Sequence, residues 1–339
     1  MDSTIKPVDE QSYRMLHEVM VGAGVEVARL QRKRRDGWDR DYAVSVLRAI
    51  DTVLIRRGFL HPAEGAVGQL VDALTPFSMT TEQRPAYEGQ THNRRRARMI
   101  RERFPGPFYA VDCDTTSYIY LGVAERLGLP LSMVVIPSHN RRPGHTFVRW
   151  REGKSHLNWE TLEGMERGND YYVNEWRLSR AEIRAGAAMR DLSPIEVIGY
   201  QHTVLGIQWE HRGQYARALS EFAAGLVLFP QHFDLRRQYA WVASTAPGLE
   251  ERPVAAAIEH ALGVVRLAED HDARDTLAAA YAAAGQFGQA VREQRLAIAG
   301  ASKSDGSRRA YRYRLELYQN GRAYRLPEGV QASSEGRGQ

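Results

Sequence analysis

The chain has 339 residues, 43% hydrophobic and 26% charged, with a formal net charge of +5 and a single cysteine, Cys113. That length suits two or three domains, and one cysteine excludes a disulfide scaffold. No apolar run reaches the roughly 18 residues of a membrane span. The polar, acidic N-terminus MDSTIKPVDE is not a secretion signal, so a cytoplasmic location is expected.

Residues 1–104 read as a helical N-terminal subdomain without visible chemistry. QSYRMLHEVMVGAGVEVARLQRKRR has helical spacing with a glycine break at Gly22 and Gly24. In RDYAVSVLRAIDTVLIRRG, Ala43, Val46, Leu47, Ile50, Val53 and Leu54 form one apolar stripe, ended by Gly58. A shorter helix is expected over Ala66–Thr75, a polar linker over Met79–Gly89 and a basic helix over Asn93–Phe104. The runs Arg32–Arg35 and Arg94–Arg103 read as solvated helix faces. No basic strand interleaved with aromatics is present, which argues against a nucleic-acid module.

Residues 105–194 carry the chemistry. TSYIYLGVAERLGL reads as a helix ended by Gly128 and Pro130. Cys113 then stands at or just before its N-terminus, where orphan N–H groups favour a thiolate and supply half of an oxyanion hole. Asp112 and Asp114 oppose the thiolate, and one of them is a helix cap. They are also counted among candidate substrate-binding residues. Ser132–Pro137 reads as a buried strand and Ser138–Gly144 as a basic loop.

HTFVRW alternates, so His145, Phe147 and Arg149 share a face. After an EGKS turn, LNWETL returns with Asn158 and Glu160 on one face. Antiparallel pairing brings His145 near Asn158 or Glu160, and parity admits both as the group that orients the imidazole. His139 and His156 fit less well as the base. The loop pair Arg141-Arg142 can select an acidic substrate group. Gly164–Asp170 reads as a loop, and a helix is expected over Ser179–Met189. Tyr171, Tyr172 and Trp176 either line a substrate cleft or pack a connecting segment. Neither HExxH nor paired CxxC spacing occurs, so no metal or other cofactor is expected.

Asp112–Ser117, Ala124–Pro130, Gly144-His145 with Phe147–Trp150, and Asn158–Thr161 together resemble the transglutaminase-like superfamily. This is the papain-like Cys-His-Asp fold, and the nearer resemblance is to its bacterial SirB-like branch, in which tetratricopeptide repeats follow the core. The resemblance implies a helix and antiparallel sheet as catalytic core followed by a C-terminal all-α array; with the helical N-terminal subdomain, an α+β chain is expected. It carries the family's cysteine and histidine onto Cys113 and His145. The third residue, usually Asp, is here Asn158 or Glu160.

Residues 195–326 are Ala-rich and repetitive. GQYARALSEFAAGLVLFP and GQFGQAVREQRLAIAG begin at Gly213 and Gly285, 72 residues apart, about twice the 34-residue tetratricopeptide period. PVAAAIEHALGVV supplies a middle unit, and helices are expected over Val197–Glu210, Phe233–Ala243, Ala273–Ala283 and Arg308–Gln319. Such arrays present a groove to a partner protein or peptide; alternatively this one buttresses the core. Residues 327–339 read as a disordered tail.

Two functions follow as expectations. One is a thiol enzyme cleaving or exchanging amide bonds in a protein or peptide substrate. The other is a catalytically retired scaffold whose repeats bind a partner protein.

Overall fold

The computed structural model describes residues 8–31, 37–61, 69–90, 93–102, 104–138, 142–268, 270–302 and 306–327. The fold mixes helices with two small sheets, and the chain forms two compact units. The first comprises Met1–Val135, His145–Glu175 and Asp191–Ser193; the second comprises Ile136–Gly144, Trp176–Arg190 and Pro194–Gln339.

In the first unit, α1 (Glu10–Gln31) and α2 (Arg40–Arg56) pack on each other. The expected glycine break does not occur. The helix α1 runs through Gly22 and Gly24, and at Gly22 the missing side chain makes room for Val53 of α2, whose Cγ1 would lie 3.1 Å from a Cβ there. All six residues of the α2 stripe are buried, and Asp39 caps the helix by accepting from the Tyr42 N–H.

Next come β1 (Phe59–Leu60), α3 (Leu70–Ala73), β2 (Pro76–Phe77), α4 (Arg84–Gln90), α5 (Arg94–Arg101) and β3 (Phe108–Ala110). The three strands form a sheet of order β1-β3-β2. Two expectations change here. The Met79–Gly89 linker contains α4, and α3 is shorter than Ala66–Thr75, part of which lies outside the described residues. The basic run is not a uniformly solvated face either. Arg96 is fully buried against Asp51 of α2, at 3.1 Å. Arg32–Arg35 and Arg103 lie outside the described residues.

The second sheet has order β4-β5-β6-β7, from β4 (Leu131–Ile136), β5 (His145–Glu152), β6 (Ser155–Glu160) and β7 (Met165–Arg167). It follows α6 (Cys113–Leu127) and leads into α7 (Asn169–Trp176). Both β7 and α7 replace structure that the sequence analysis leaves as loop and connecting segment. β5 and β6 pair antiparallel, Val148 opposite Trp159 and Arg149 opposite Asn158. Val148, Trp150, Leu157 and Trp159 enter one core with α1, α2 and α6. Two polar contacts tie its layers: the Trp159 indole donates to the Tyr120 hydroxyl (3.1 Å), which donates to the Leu47 carbonyl (3.3 Å).

The second unit contains α8 (Arg180–Arg184), shorter than the Ser179–Met189 helix expected. It then builds an array: α9 (Pro194–His211), α10 (Tyr215–Leu228), α11 (Phe233–Thr245), α12 (Val254–Leu267), α13 (His271–Ala283), α14 (Phe287–Gly300) and α15 (Ser307–Gln319). Each helix packs on the next, and α11 also touches α9 and α13. The residues preceding α10, α12 and α14 share one backbone conformation: Gln214 (φ −86°, ψ 61°), Pro253 (−78°, 60°) and Gln286 (−86°, 59°). From each, burial follows the same spacing: Ala218, Phe222 and Gly225; Ala257, Ala261 and Val264; Ala290, Gln294 and Ala297.

Gln294 stands where its counterparts are apolar, and its amide donates to Asp275 (2.7 Å), itself held by both arms of Arg314 at 2.8 Å. Arg314 also faces the rings of Trp241, Tyr311 and Tyr324. Residues 328–339, most of the expected tail, lie outside the described residues.

Small residues set how closely α9 and α10 approach. A Cβ on Gly206 would fall 2.2 Å from Phe222 Cε1. Gly206→Ala is expected to destabilise the array by about 1–3 kcal/mol through overpacking, read as a lower denaturation midpoint. An unchanged midpoint would show that Phe222 moves aside freely.

Candidate active site

Asp112 adopts an extended conformation and caps α6. Its carboxylate accepts from the Thr115 N–H (3.0 Å) and hydroxyl (2.7 Å), and Thr115 Oγ1 accepts from the Asp112 N–H (2.9 Å). This capping box starts the helix at Cys113. Asp112 is thus the cap of the two acidic neighbours, and its carboxylate, expected among substrate-binding groups, is engaged in that role.

Cys113 is partly buried. Its Sγ lies 3.7 Å from Asp114 Oδ1, which accepts from the Thr146 hydroxyl at 3.0 Å. Thr146 Oγ1 also lies 3.4 Å from the Ser117 hydroxyl, so the start of β5 is fastened to the first turns of α6. Burial, then the charges of Asp114 and Asp112, push the thiol well above its ordinary pKa, while the N–H and hydroxyl of Thr146 act in the opposite sense. The helix terminus favours a thiolate, but here the two carboxylates and burial prevail, and the thiol is protonated at neutral pH.

His145 opens β5 and points to the other face of the hairpin from Val148 and Trp150, as strand alternation requires. Its Nε2 lies 2.7 Å from Glu160 Oε2. Burial opposes the charged imidazole, but Glu160 by charge and hydrogen bond, with Asp114 and Glu163 beyond it, raises the His145 pKa above its ordinary value. Of the two residues that parity admits, Glu160 is therefore the one that meets His145. Asn158 turns to the same face farther along, where it accepts from Arg149 Nε (2.7 Å) and donates to Asn169 (2.8 Å). Arg149 continues to Asp191 at 2.7 Å.

Glu160 is buried and held from several sides. Its Oε2 accepts from the Tyr172 hydroxyl (3.4 Å) and its Oε1 from the Leu162 N–H (3.3 Å). Tyr172 is fully buried and stacks on Phe147, rings 3.9 Å apart and 12° from parallel. It is a wall behind the acid rather than an open substrate surface. Burial and then Glu160 raise its phenol pKa. Tyr171 lies against the Arg167 guanidinium, 4.4 Å from the ring centre.

The structure thus joins His145 to Glu160, and Cys113 to Asp114 and Thr146. Among the described residues the polar partners of the thiol are those two, with His145 the chain neighbour of Thr146. Arg142 is half-buried in the loop before β5, whereas Arg141 and His139 lie outside the described residues. His156 sits down the hairpin opposite Arg151, with its ring 3.4 Å from Asn169. Among the described residues no group of three or more His, Cys, Asp or Glu side chains is placed to hold a metal ion, and no helix is long and apolar enough to cross a membrane.

Neither the bond of Thr146 to Asp114 nor the place of Tyr172 behind the acid is an expectation from sequence. A Thr after the strand-initial His is the one available signal for the first; nothing marks the second except its position between Tyr171 and Trp176.

Two outcomes follow. The His145 pKa is raised on folding, so the stability from its pairing with Glu160 is fully present below the unfolded imidazole value of about 6.5 and is lost as pH rises through the folded value. In denaturant titrations the advantage of wild type over Glu160→Gln is expected to shrink over that window; a gap that is constant with pH would rule the pairing out. Asp114→Asn removes a carboxylate that raises the thiol pKa, so Cys113 is expected to react faster with iodoacetamide at a fixed neutral pH, and an equal or slower rate would contradict that electrostatic account.

Searches of the chain against protein-family models, curated proteins and solved structures return no match.

Proposed function

We propose that the protein is a thiol-dependent acyl-transfer enzyme acting on amide bonds of a protein or peptide, with Cys113 as nucleophile, His145 as base and Glu160 as orienting acid. The observation that carries this reading is the 2.7 Å contact between His145 Nε2 and Glu160 Oε2, beside a helix N-terminus bearing the chain's only cysteine. The order of helix, strand and return strand resembles a transglutaminase-like core. The three-fold recurrence of turn conformation and buried spacing resembles tetratricopeptide repeats, which would recruit the substrate or a partner.

With Nε2 turned to Glu160, Nδ1 is the nitrogen that would serve Cys113. Neutral His145 takes the thiol proton as sulfur attacks the amide carbonyl. The tetrahedral oxyanion is stabilised by backbone N–H groups at the start of α6. His145 then gives the proton to the departing amine, leaving an acyl-enzyme. Water releases a carboxylic acid; an amine releases a new amide. Both groups hold their protons more firmly than usual, and because attack needs neutral His145, the rate is expected to climb with pH.

A second reading is a retired catalytic core whose helical array binds a partner protein. The protonated thiol favours it, because an activated cysteine normally has a lowered pKa.

Iodoacetamide labelling across pH, read by intact mass on wild type, His145→Ala and Glu160→Gln, separates the two. The enzyme reading expects a pH-dependent limb in wild type that follows His145 and is lost in both variants. Identical profiles in all three proteins, following an isolated thiol, would overturn it in favour of the scaffold.

A further inference from the structure

The β6–β7 turn, which carries Glu160 at its start, is fastened to a buried polar cluster contributed by α2 and α5. Asp51 and Arg96 are both fully buried and meet at 3.1 Å. Asn93 caps α5 through its carbonyl oxygen, accepting from the N–H groups of Arg95 (3.0 Å) and Arg96 (3.3 Å), and its amide nitrogen lies 3.3 Å from both Asp51 oxygens. The other arm of Arg96 donates to the Leu162 carbonyl at 3.3 Å.

The Leu162 N–H in turn donates to Glu160 Oε1 (3.3 Å), and the Gly164 N–H to the Glu160 carbonyl (2.8 Å). Gly164 has φ +66°, and a Cβ there would sit 2.6 Å from both Asn93 Nδ2 and Asp51 Oδ2. The turn therefore seats directly on the cluster.

Stability alone does not account for this arrangement. A buried ion pair gains little net free energy over apolar residues of similar size. This one also leaves Arg96 Nε buried with no partner among the described residues, and the Thr161 hydroxyl of the same turn likewise. Unpaired buried polar atoms carry a cost that calls for another explanation.

We propose that Arg96, held by Asp51, is a positioning residue for Glu160. Its hydrogen bond to Leu162 sets the turn so that the Glu160 carboxylate is aimed at His145. The inference rests on the reading of His145 and Glu160 as base and orienting acid, and it gives the N-terminal helices a part in the site. Among the described residues, Glu160, Asp114 and Glu163 are the charged groups that raise the His145 pKa, and Tyr172 is stacked 6.2 Å away. Of these, Glu160 alone is bonded to the imidazole through a turn that Arg96 grips.

The test is the NMR titration of the His145 ring in the full chain, its resonance assigned by loss in His145→Gln. The double variant Asp51→Leu/Arg96→Met removes the pair as a unit, a change that buried pairs often tolerate. Arg96→Lys keeps the charge beside Asp51 but loses the fork that reaches Leu162. Arg95→Ala, which touches Asp51 from the solvent side but not the turn, is the control. Wild type and control are expected to titrate above the ordinary value of about 6.5, and whichever of the other two variants folds is expected to titrate lower. A folded variant with the wild-type midpoint would overturn the positioning role while leaving the His145–Glu160 pair intact. A wild-type midpoint at the ordinary value would overturn the pair itself, and the inference with it.

Discussion

Asp51 and Arg96 meet with no access to water, and much of the first unit is arranged so that they can. Leaving either charge without the other costs about 3–5 kcal/mol. The pair therefore fixes α5 against α2 once both helices form, and through the Leu162 carbonyl it fixes the turn that closes the sheet. Helices that look remote from the chemistry in the chain thereby share one polar joint with the strand bearing Glu160.

The β5–β6 hairpin divides its two faces between two tasks. Val148, Trp150, Leu157 and Trp159 supply the apolar floor beneath which α1, α2 and α6 gather. The opposite face carries the polar pairs, His145 with Glu160 at one end and Arg149 with Asn158 and Asp191 at the other, with Phe147 between them stacked on Tyr172. Because side chains alternate with period two, a one-residue slip of β6 would carry Asn158 and Glu160 into the floor in place of Leu157 and Trp159. The same register that builds the core thus sets the imidazole beside its carboxylate, and specifies both strongly.

What the sequence discloses is mostly local. A capping acid, Asp112 or Asp114, and Gly128 announce the limits of α6, and alternation in HTFVRW and LNWETL places His145 on a face with two acceptor candidates. Parity could not choose between Asn158 and Glu160, because the choice depends on Arg149 claiming Asn158, and nothing adjacent in the chain records that. Arg96 was illegible for the same reason. Within a run of six arginines its burial depends on Asp51, 45 residues upstream in the chain. The strand β7 and helix α7 were missed because MER and NDYYVNEW are too short and too polar to show a period; pairing with β6 and the Phe147–Tyr172 stack give them their structure. The α1 break failed as an expectation because small residues in a helix also serve close packing, and here Val53 lies against Gly22.

The protonated state of Cys113 has a consequence for redox chemistry. Peroxide attacks thiolates, and conversion to sulfenic acid follows thiolate character and exposure. A thiol whose pKa is raised by burial and by two flanking carboxylates offers little thiolate character, and Cys113 is also partly buried. With no second cysteine in the chain, Cys113 has no partner for an internal disulfide either. On the enzyme reading, the surroundings that restrain the sulfur as a nucleophile would also slow its oxidative loss.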